Sequence, residues 1–127
     1  MAYNILVVDD SAVMKNVIGK ALKMAGIDVG LLLTAANGEE GLKVLREEWV
    51  DVVLADINMP VMSGVEMIEA MKDDASLEHI PIVVISTEGS AARIHQLEQL
   101  GVNFILRKPF QPETLKQTID TVLGGKP

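Results

Sequence analysis

Cysteine is absent from this chain of 127 residues. That absence removes disulfides, thiolate zinc sites and cysteine nucleophiles, and it suits a reducing compartment. Basic residues are in short supply: 11 Lys and Arg stand against 18 Asp and Glu, a formal charge of −7. A nucleic-acid binder would normally carry a basic face, so that class is excluded as the expectation. Long apolar runs are missing too. Ile5–Val8, Leu31–Leu33, Val52–Ala55 and Ile82–Ile85 are all brief, far short of the roughly 18 apolar residues that cross a bilayer. Met1-Ala2-Tyr3-Asn4 contains no basic stretch leading into an apolar one, so no secretory signal is visible. Internal repeats, low-complexity segments and linkers are lacking as well. The expectation is a soluble cytoplasmic protein without a membrane span.

What is present is enough to fold. The length fits one domain, and an apolar content of 49% is too high for a disordered chain. Two kinds of segment alternate. Ile5–Val8, Val29–Thr34, Val52–Ala55, Ile82–Ile85 and Phe104–Leu106 are short and aliphatic, continuous runs suited to strands covered on both faces. Between them lie helical periods: Met14, Val17, Ile18, Ala21, Leu22 and Ala25; Leu42 and Leu45; Val65, Ile68 and Met71; Ile94, Leu97 and Leu100; Leu115, Ile119 and Val122. Asn37 followed by Glu40 reads as a capping box. Gly26 and Gly101 stand where helix C-caps want a left-handed residue. Pro112 suits the first position of the last helix. The pattern is a strand–helix unit repeated five times, which predicts an α/β fold with a parallel sheet and right-handed crossovers. The domain is expected to run over 1–123, with 124–127 a frayed tail.

In such sheets ligands bind beyond the carboxyl ends of the strands. The first strand ends in Asp9-Asp10, the third in Asp56, the fourth in Ser86-Thr87 and the fifth in Lys108-Pro109. Three carboxylates, a hydroxyl and an ammonium therefore meet on one rim. Like charges at close range oppose one another's ionisation unless a cation sits among them. Hard oxygen donors with open water positions suit Mg²⁺, and a carboxylate can act as a nucleophile toward phosphorus. These residue types describe a site for one phosphoryl group on an aspartate.

Ile5-Leu6-Val7-Val8-Asp9-Asp10-Ser11, Leu54-Ala55-Asp56-Ile57-Asn58-Met59-Pro60, Ile82–Ser86 and Lys108-Pro109-Phe110 together resemble the response-regulator receiver domain, in order and across nearly the whole chain. The resemblance is to stand-alone receivers of the chemotaxis type. It implies a flavodoxin-like (βα)5 three-layer sandwich with strand order 2-1-3-4-5. It implies Asp56 as phosphoacceptor and Mg²⁺ held by Asp9, Asp10, Asp56 and the Asn58 carbonyl. Lys108 and Ser86 would bind the phosphoryl group, Ser86 as the switch hydroxyl, and Pro109 would follow a cis bond. Asn58 and Glu88 would tune autodephosphorylation. The implied partners are a sensor histidine kinase or phosphotransfer protein upstream and an output protein on the face of the fourth helix, fifth strand and fifth helix. Such a domain is a phosphoacceptor, not an enzyme with turnover.

One position departs from the family. Many receivers carry Tyr or Phe three residues before the strand-five lysine; here that residue is Ile105, with Phe104 one place earlier. Neighbouring strand residues face opposite ways, so Phe104 cannot substitute. Ile105 is expected to join an apolar output patch. Strand alternation favours Ser86 over Thr87 as the switch hydroxyl. His79 and His95 read as surface or partly buried residues, the Met59, Met62, Met67 and Met71 group as core filling, and Trp49 as remote from the rim. The alternatives are a Mg²⁺-dependent aspartyl-phosphate phosphatase or phosphotransferase, a flavin or nucleotide binder on the same fold, and a receiver-like binding module that is never phosphorylated. Asp9-Asp10-Ser11-Ala12 is no glycine-rich phosphate loop, which argues against the nucleotide binder.

Overall fold

Aliphatic runs four to seven residues long pair into a parallel sheet, and each returns through a helix. The computed structural model describes residues 2–87, 90–102 and 104–124. Five strands, β1 (Tyr3–Val8), β2 (Val29–Ala35), β3 (Val52–Ala55), β4 (Ile82–Ser86) and β5 (Phe104–Arg107), alternate with α1 (Ala12–Met24), α2 (Gly38–Glu47), α3 (Gly64–Lys72), α4 (Ala91–Gln99) and α5 (Pro112–Ile119). A wider helical turn, Asp120–Gly124, continues α5. The sheet order is β2-β1-β3-β4-β5 and every pairing is parallel. This is the flavodoxin-like order. The expected frayed tail lies, from Gly125 onward, outside the described residues.

Strand alternation divides the core into two layers. Leu6, Val8, Val53, Ala55 and Val84 meet Leu42 and Leu45 of α2, Ile68 and Met71 of α3 and Leu97 of α4. Ile5, Val7, Leu54, Val83 and Ile85 meet Ile18 and Leu22 of α1 and Leu115 and Ile119 of α5. Each fully buried Val, Leu, Ile or Met among them contributes about 1.5–3 kcal/mol. Met67 and Met71 are fully buried, and Met59 and Met62 pack against the same layer. The middle strands β1, β3 and β4 fit the expectation of continuous apolar runs. β2 does not, because it is an edge: Leu31 and Leu32 are exposed. Val17 is exposed as well, so the buried stripe of α1 is narrower than its sequence suggests.

Four helices begin with a side-chain cap: Ser11, Asn37, Ser63 and Ser90 accept from the backbones of Met14, Glu40, Glu66 and Arg93. The expected box at Asn37 is only half formed, because Glu40 reaches back to the Ala36 N–H. The complete reciprocal box is Ser63 with Glu66. Gly26 and Gly101 follow their helices with φ of 75° and 90°, and Pro112 opens α5.

Val61 is the one strained residue of the backbone as described. Its φ is 67°, and the turn around it closes with the Met62 N–H donating to the Pro60 carbonyl at 2.7 Å. A β-branched side chain is disfavoured there. Because Val61 is exposed, its replacement by glycine removes strain without opening a cavity. Val61→Gly is expected to stabilise the fold by about 0.5–1 kcal/mol, read as an increased urea midpoint at constant slope.

Candidate functional site

The sheet register sets the site. Asp56 follows β3 and donates its N–H to the Val8 carbonyl at 2.9 Å; Asp9 follows β1 and donates to the Ala35 carbonyl at 3.0 Å. Both leave the sheet at the same end, Asp9 in the loop before α1 and Asp56 in the loop before α3. Asp9, Asp10 and Asp56 each offer a carboxylate oxygen, and these oxygens lie within 4.8 Å of one another. Asp9 is buried, Asp56 half-buried and Asp10 exposed.

Each carboxylate has its own supports. Asp9 accepts from the Ser11 N–H with one oxygen, at 2.9 Å, and from Lys108 Nζ with the other, at 3.1 Å. Asp56 accepts from the Ile57 N–H at 2.8 Å and keeps its second oxygen 3.7 Å from Lys108 Nζ. Lys108 thus bridges two acids and sits closer to Asp9. Its own N–H donates to the Ser86 carbonyl at 3.0 Å, tying the end of β5 to that of β4. The Lys108-Pro109 bond is cis.

Asp56 is held above the ordinary carboxylate range. Burial is the largest cause and the Asp9 charge adds to it; Lys108 and the backbone N–H groups of Ile57 and Asn58 oppose it. A nearby cation would favour the ionised form. The donor set is all oxygen, acidic and open to water on the Asp10 side, which fits a hard divalent ion of the Mg²⁺ kind.

The remaining sequence candidates fall as follows. Ser86 is fully buried at the end of β4, whereas Thr87 is exposed, as the alternation argument requires. Asn58 is exposed beside Asp56. Ile105 is half-buried and packs on the layer containing α2, α3 and α4, while Phe104 packs on the opposite layer. Glu88 lies outside the described residues. His79 and His95 are exposed, and neither joins the acidic group. Trp49 lies at the amino end of the sheet, hydrogen-bonded to Asp51 just before β3.

Gly64 escaped the sequence reading. Its N–H donates to the Ile57 carbonyl at 2.8 Å, and a Cβ on it would collide with the backbone of Asp56 and Ile57. A glycine placed inside a helix start, straight after the capping serine, is the signal that could have found it.

A doubly wound parallel sheet with an acidic cluster and a lysine beyond its carboxyl ends has the make-up of a phosphoacceptor signalling domain. The chain belongs to the response regulator receiver domain family, whose family model matches residues 5–120. A chemotaxis protein CheY homolog of Campylobacter jejuni is 37% identical over 121 residues, covering 94% of this chain and 92% of that one. The crystallised chemotaxis protein CheY4 of Vibrio cholerae is 34% identical with a TM-score of 0.86, covering 97% of this chain and 100% of that one. The receiver domain of a Pseudomonas aeruginosa sensor histidine kinase, solved with a magnesium ion coordinated in its active site cleft, shares the fold at 22% identity. Its TM-score is 0.85, with coverage of 98% and 99%. The chain is therefore a CheY-like receiver, and membership implies a kinase partner. No helix among the described residues is long and apolar enough to cross a membrane.

Proposed function

We propose that Asp56 accepts a phosphoryl group from a phosphohistidine on a sensor kinase or phosphotransfer protein, and that the phosphorylated domain changes its affinity for an output protein. The observation carrying this reading is the convergence of Asp9, Asp10 and Asp56 with Lys108 against two of them. Asp9, Asp10, Asp56 and the Asn58 carbonyl would hold Mg²⁺, Asp9 largely through water. When bound, the ion supplies charge neutralisation and Lewis acidity at the phosphoryl oxygens.

The chain's own groups do the rest. The Ile57 N–H on one oxygen and Lys108 near the other orient the Asp56 carboxylate for attack on phosphorus. The bond from phosphorus to the donor imidazole breaks as the bond to Asp56 forms. Lys108 then exchanges part of its pairing with Asp9 for the new phosphoryl oxygens. The Ser86 hydroxyl turns to donate to the same group. Phosphorylation adds about −1.5 to −2 charges to the rim, which biases α4, β5 and α5 between two packings. Ile105 sits on that face as part of an apolar patch. Asn58 and Glu88, flanking the acceptor and the switch hydroxyl, set the lifetime of the phosphoryl group. The receiver unit spans 1–123, and the cytoplasm is its compartment.

Acetyl phosphate with Mg²⁺ tests the reading directly. One phosphoryl increment is expected, trapped by reduction at position 56 and lost when Mg²⁺ is chelated. Labelling at another residue, or none, would remove the proposal. Ser86→Ala is expected to leave labelling within about threefold while weakening the phosphorylation-driven gain in partner binding at least tenfold, about 1.4 kcal/mol. Ile105→Ala should weaken partner binding without altering labelling. Calorimetric titration of the phosphorylated forms separates these effects.

A further inference from the structure

At the end of the sheet opposite the acidic cluster, a small cavity of about 90 Å³ opens beside Trp49, floored by Leu45, Leu77 and Ile80 and lined also by Glu48 and His79. Trp49 is the only tryptophan of the chain, and it is 74% exposed. Tryptophan is highly buried on average, and its exposure here does not come from a loose side chain. The indole N–H donates to Asp51 at 3.1 Å. Asp51 is itself fixed by the Asn4 N–H at 2.8 Å, and the Trp49 carbonyl accepts from the Asn4 side chain at 2.9 Å. The ring is tied at its polar edge while most of the residue's surface stays exposed. Nothing in the phosphoryl chemistry uses it.

The surroundings name the chemistry of an occupant. Glu47 and Glu48 end α2 immediately before the ring, and both are exposed. Glu48 lines the cavity, and the chain as a whole carries −7. Arg46, the nearest cation in sequence, leans toward Asp74 instead, at 3.9 Å. A fixed aromatic face beside a carboxylate, over a shallow apolar floor, is complementary to a planar cation. Guanidinium stacks on an indole face and forks to a carboxylate, whereas an ammonium ion does neither as well. Rigid aromatic anchors beside small pockets are also where protein partners concentrate their binding energy.

We infer that the Trp49–Glu48 cavity is a docking site for an arginine side chain on a basic segment of a partner protein. The site lies at the amino ends of β3 and β4, so it can be occupied while the Asp56 end is engaged with a kinase.

The test is titration with a blocked tetra-arginine amide in saturating Mg²⁺, which shields the acidic cluster. Trp49 emission and the backbone amide shifts of Val50, Leu77 and His79 are the readouts. The expected result is a saturable change in both, with Glu48→Gln weakening binding at least fivefold and Asp56→Asn leaving it unaltered. Trp49→Ala, followed by the amide shifts, should lose binding at least tenfold. A blocked tetra-lysine amide should bind several-fold more weakly. Any one of four outcomes would overturn the inference: a linear, non-saturating quench; equal binding in Glu48→Gln; equal affinity for the lysine peptide; or shifts confined to Asp9–Ser11. Concentration-dependent dimerisation by sedimentation that masks Trp49 would likewise assign the cavity to a second copy of the chain.

Discussion

Asp56→Asn is expected to abolish phosphoryl incorporation from acetyl phosphate, to below about 1% of wild type, and at the same time to make the metal-free protein more stable. Both effects come from one geometry. The carboxylate is the nucleophile, and an amide oxygen in its place forms no stable acyl phosphate. The same carboxylate is half-buried beside Asp9, its acidity weakened by burial first and by the Asp9 charge as well. Asparagine keeps the shape and removes the charge. The rim is open to water on the Asp10 side, which screens the repulsion, so the expected gain is only about 1 kcal/mol. Its pH dependence follows from the direction of the shift. A carboxyl raised in the folded state favours folding while protonated, and that contribution is lost as pH rises through its folded value. The variant has no such group at 56. Its advantage over wild type, measured by urea unfolding in chelator, should therefore be smallest in acid and grow toward neutrality. Adding Mg²⁺ should shrink or reverse it. At a concentration one hundred times Kd, wild type gains about 2.7 kcal/mol from binding, and the variant gains less because one carboxylate is missing. Equal stability of the two proteins under all conditions would mean that neither burial nor the Asp9 charge disfavours the ionised form of Asp56.

The residues that conflict with one another were the ones most visible in the sequence. Asp9, Asp10 and Asp56 gain nothing structurally from proximity, so their placement at the ends of the first and third strands pointed to a site. The buried strands were legible for a related reason: Val52–Ala55 and Ile82–Ile85 are apolar throughout because both faces are covered. The same logic misread β2. Its run of leucines looks like that of an inner strand, but strand order decides burial and is set by pairings across the whole chain. Leu31 and Leu32 are consequently exposed. Local chemistry likewise placed an acceptor at Asn37 but could not tell whether Glu40 would reach the N–H of Asn37 or that of Ala36. The attachment of Lys108 to Asp9, closer than to Asp56, rests on differences of a few tenths of an ångström that no pattern of residue types encodes.

Gly64→Ala is expected to cost about 3 kcal/mol or more and to slow phosphorylation of the folded fraction by about a hundredfold. Gly64 is the first residue of α3, and its φ is not among the positive ones, so its backbone conformation is open to any residue. Space alone excludes a side chain. A Cβ would press into the Asp56 carbonyl oxygen and lie 2.9 Å from Ile57 Cα. These atoms are backbone and cannot rotate away. Relief requires α3 to withdraw or the Asp56-Ile57 peptide to move. The first route disturbs the Ser63–Glu66 cap and the packing of Val65, Ile68 and Met71. The second tilts the carboxylate that Ile57 and Lys108 hold in place. Either way the helix start acts as a stop that fixes the height of Asp56 above the sheet. Gly124→Ala is the control. A Cβ there meets nothing within 4 Å, so it should change stability by less than about 0.5 kcal/mol and leave labelling unchanged. Urea midpoints for both variants, with labelling rates corrected to the folded fraction, give the comparison. A Gly64→Ala protein with wild-type stability and wild-type labelling would show that α3 can retreat freely, and that the position of Asp56 is set by the sheet alone.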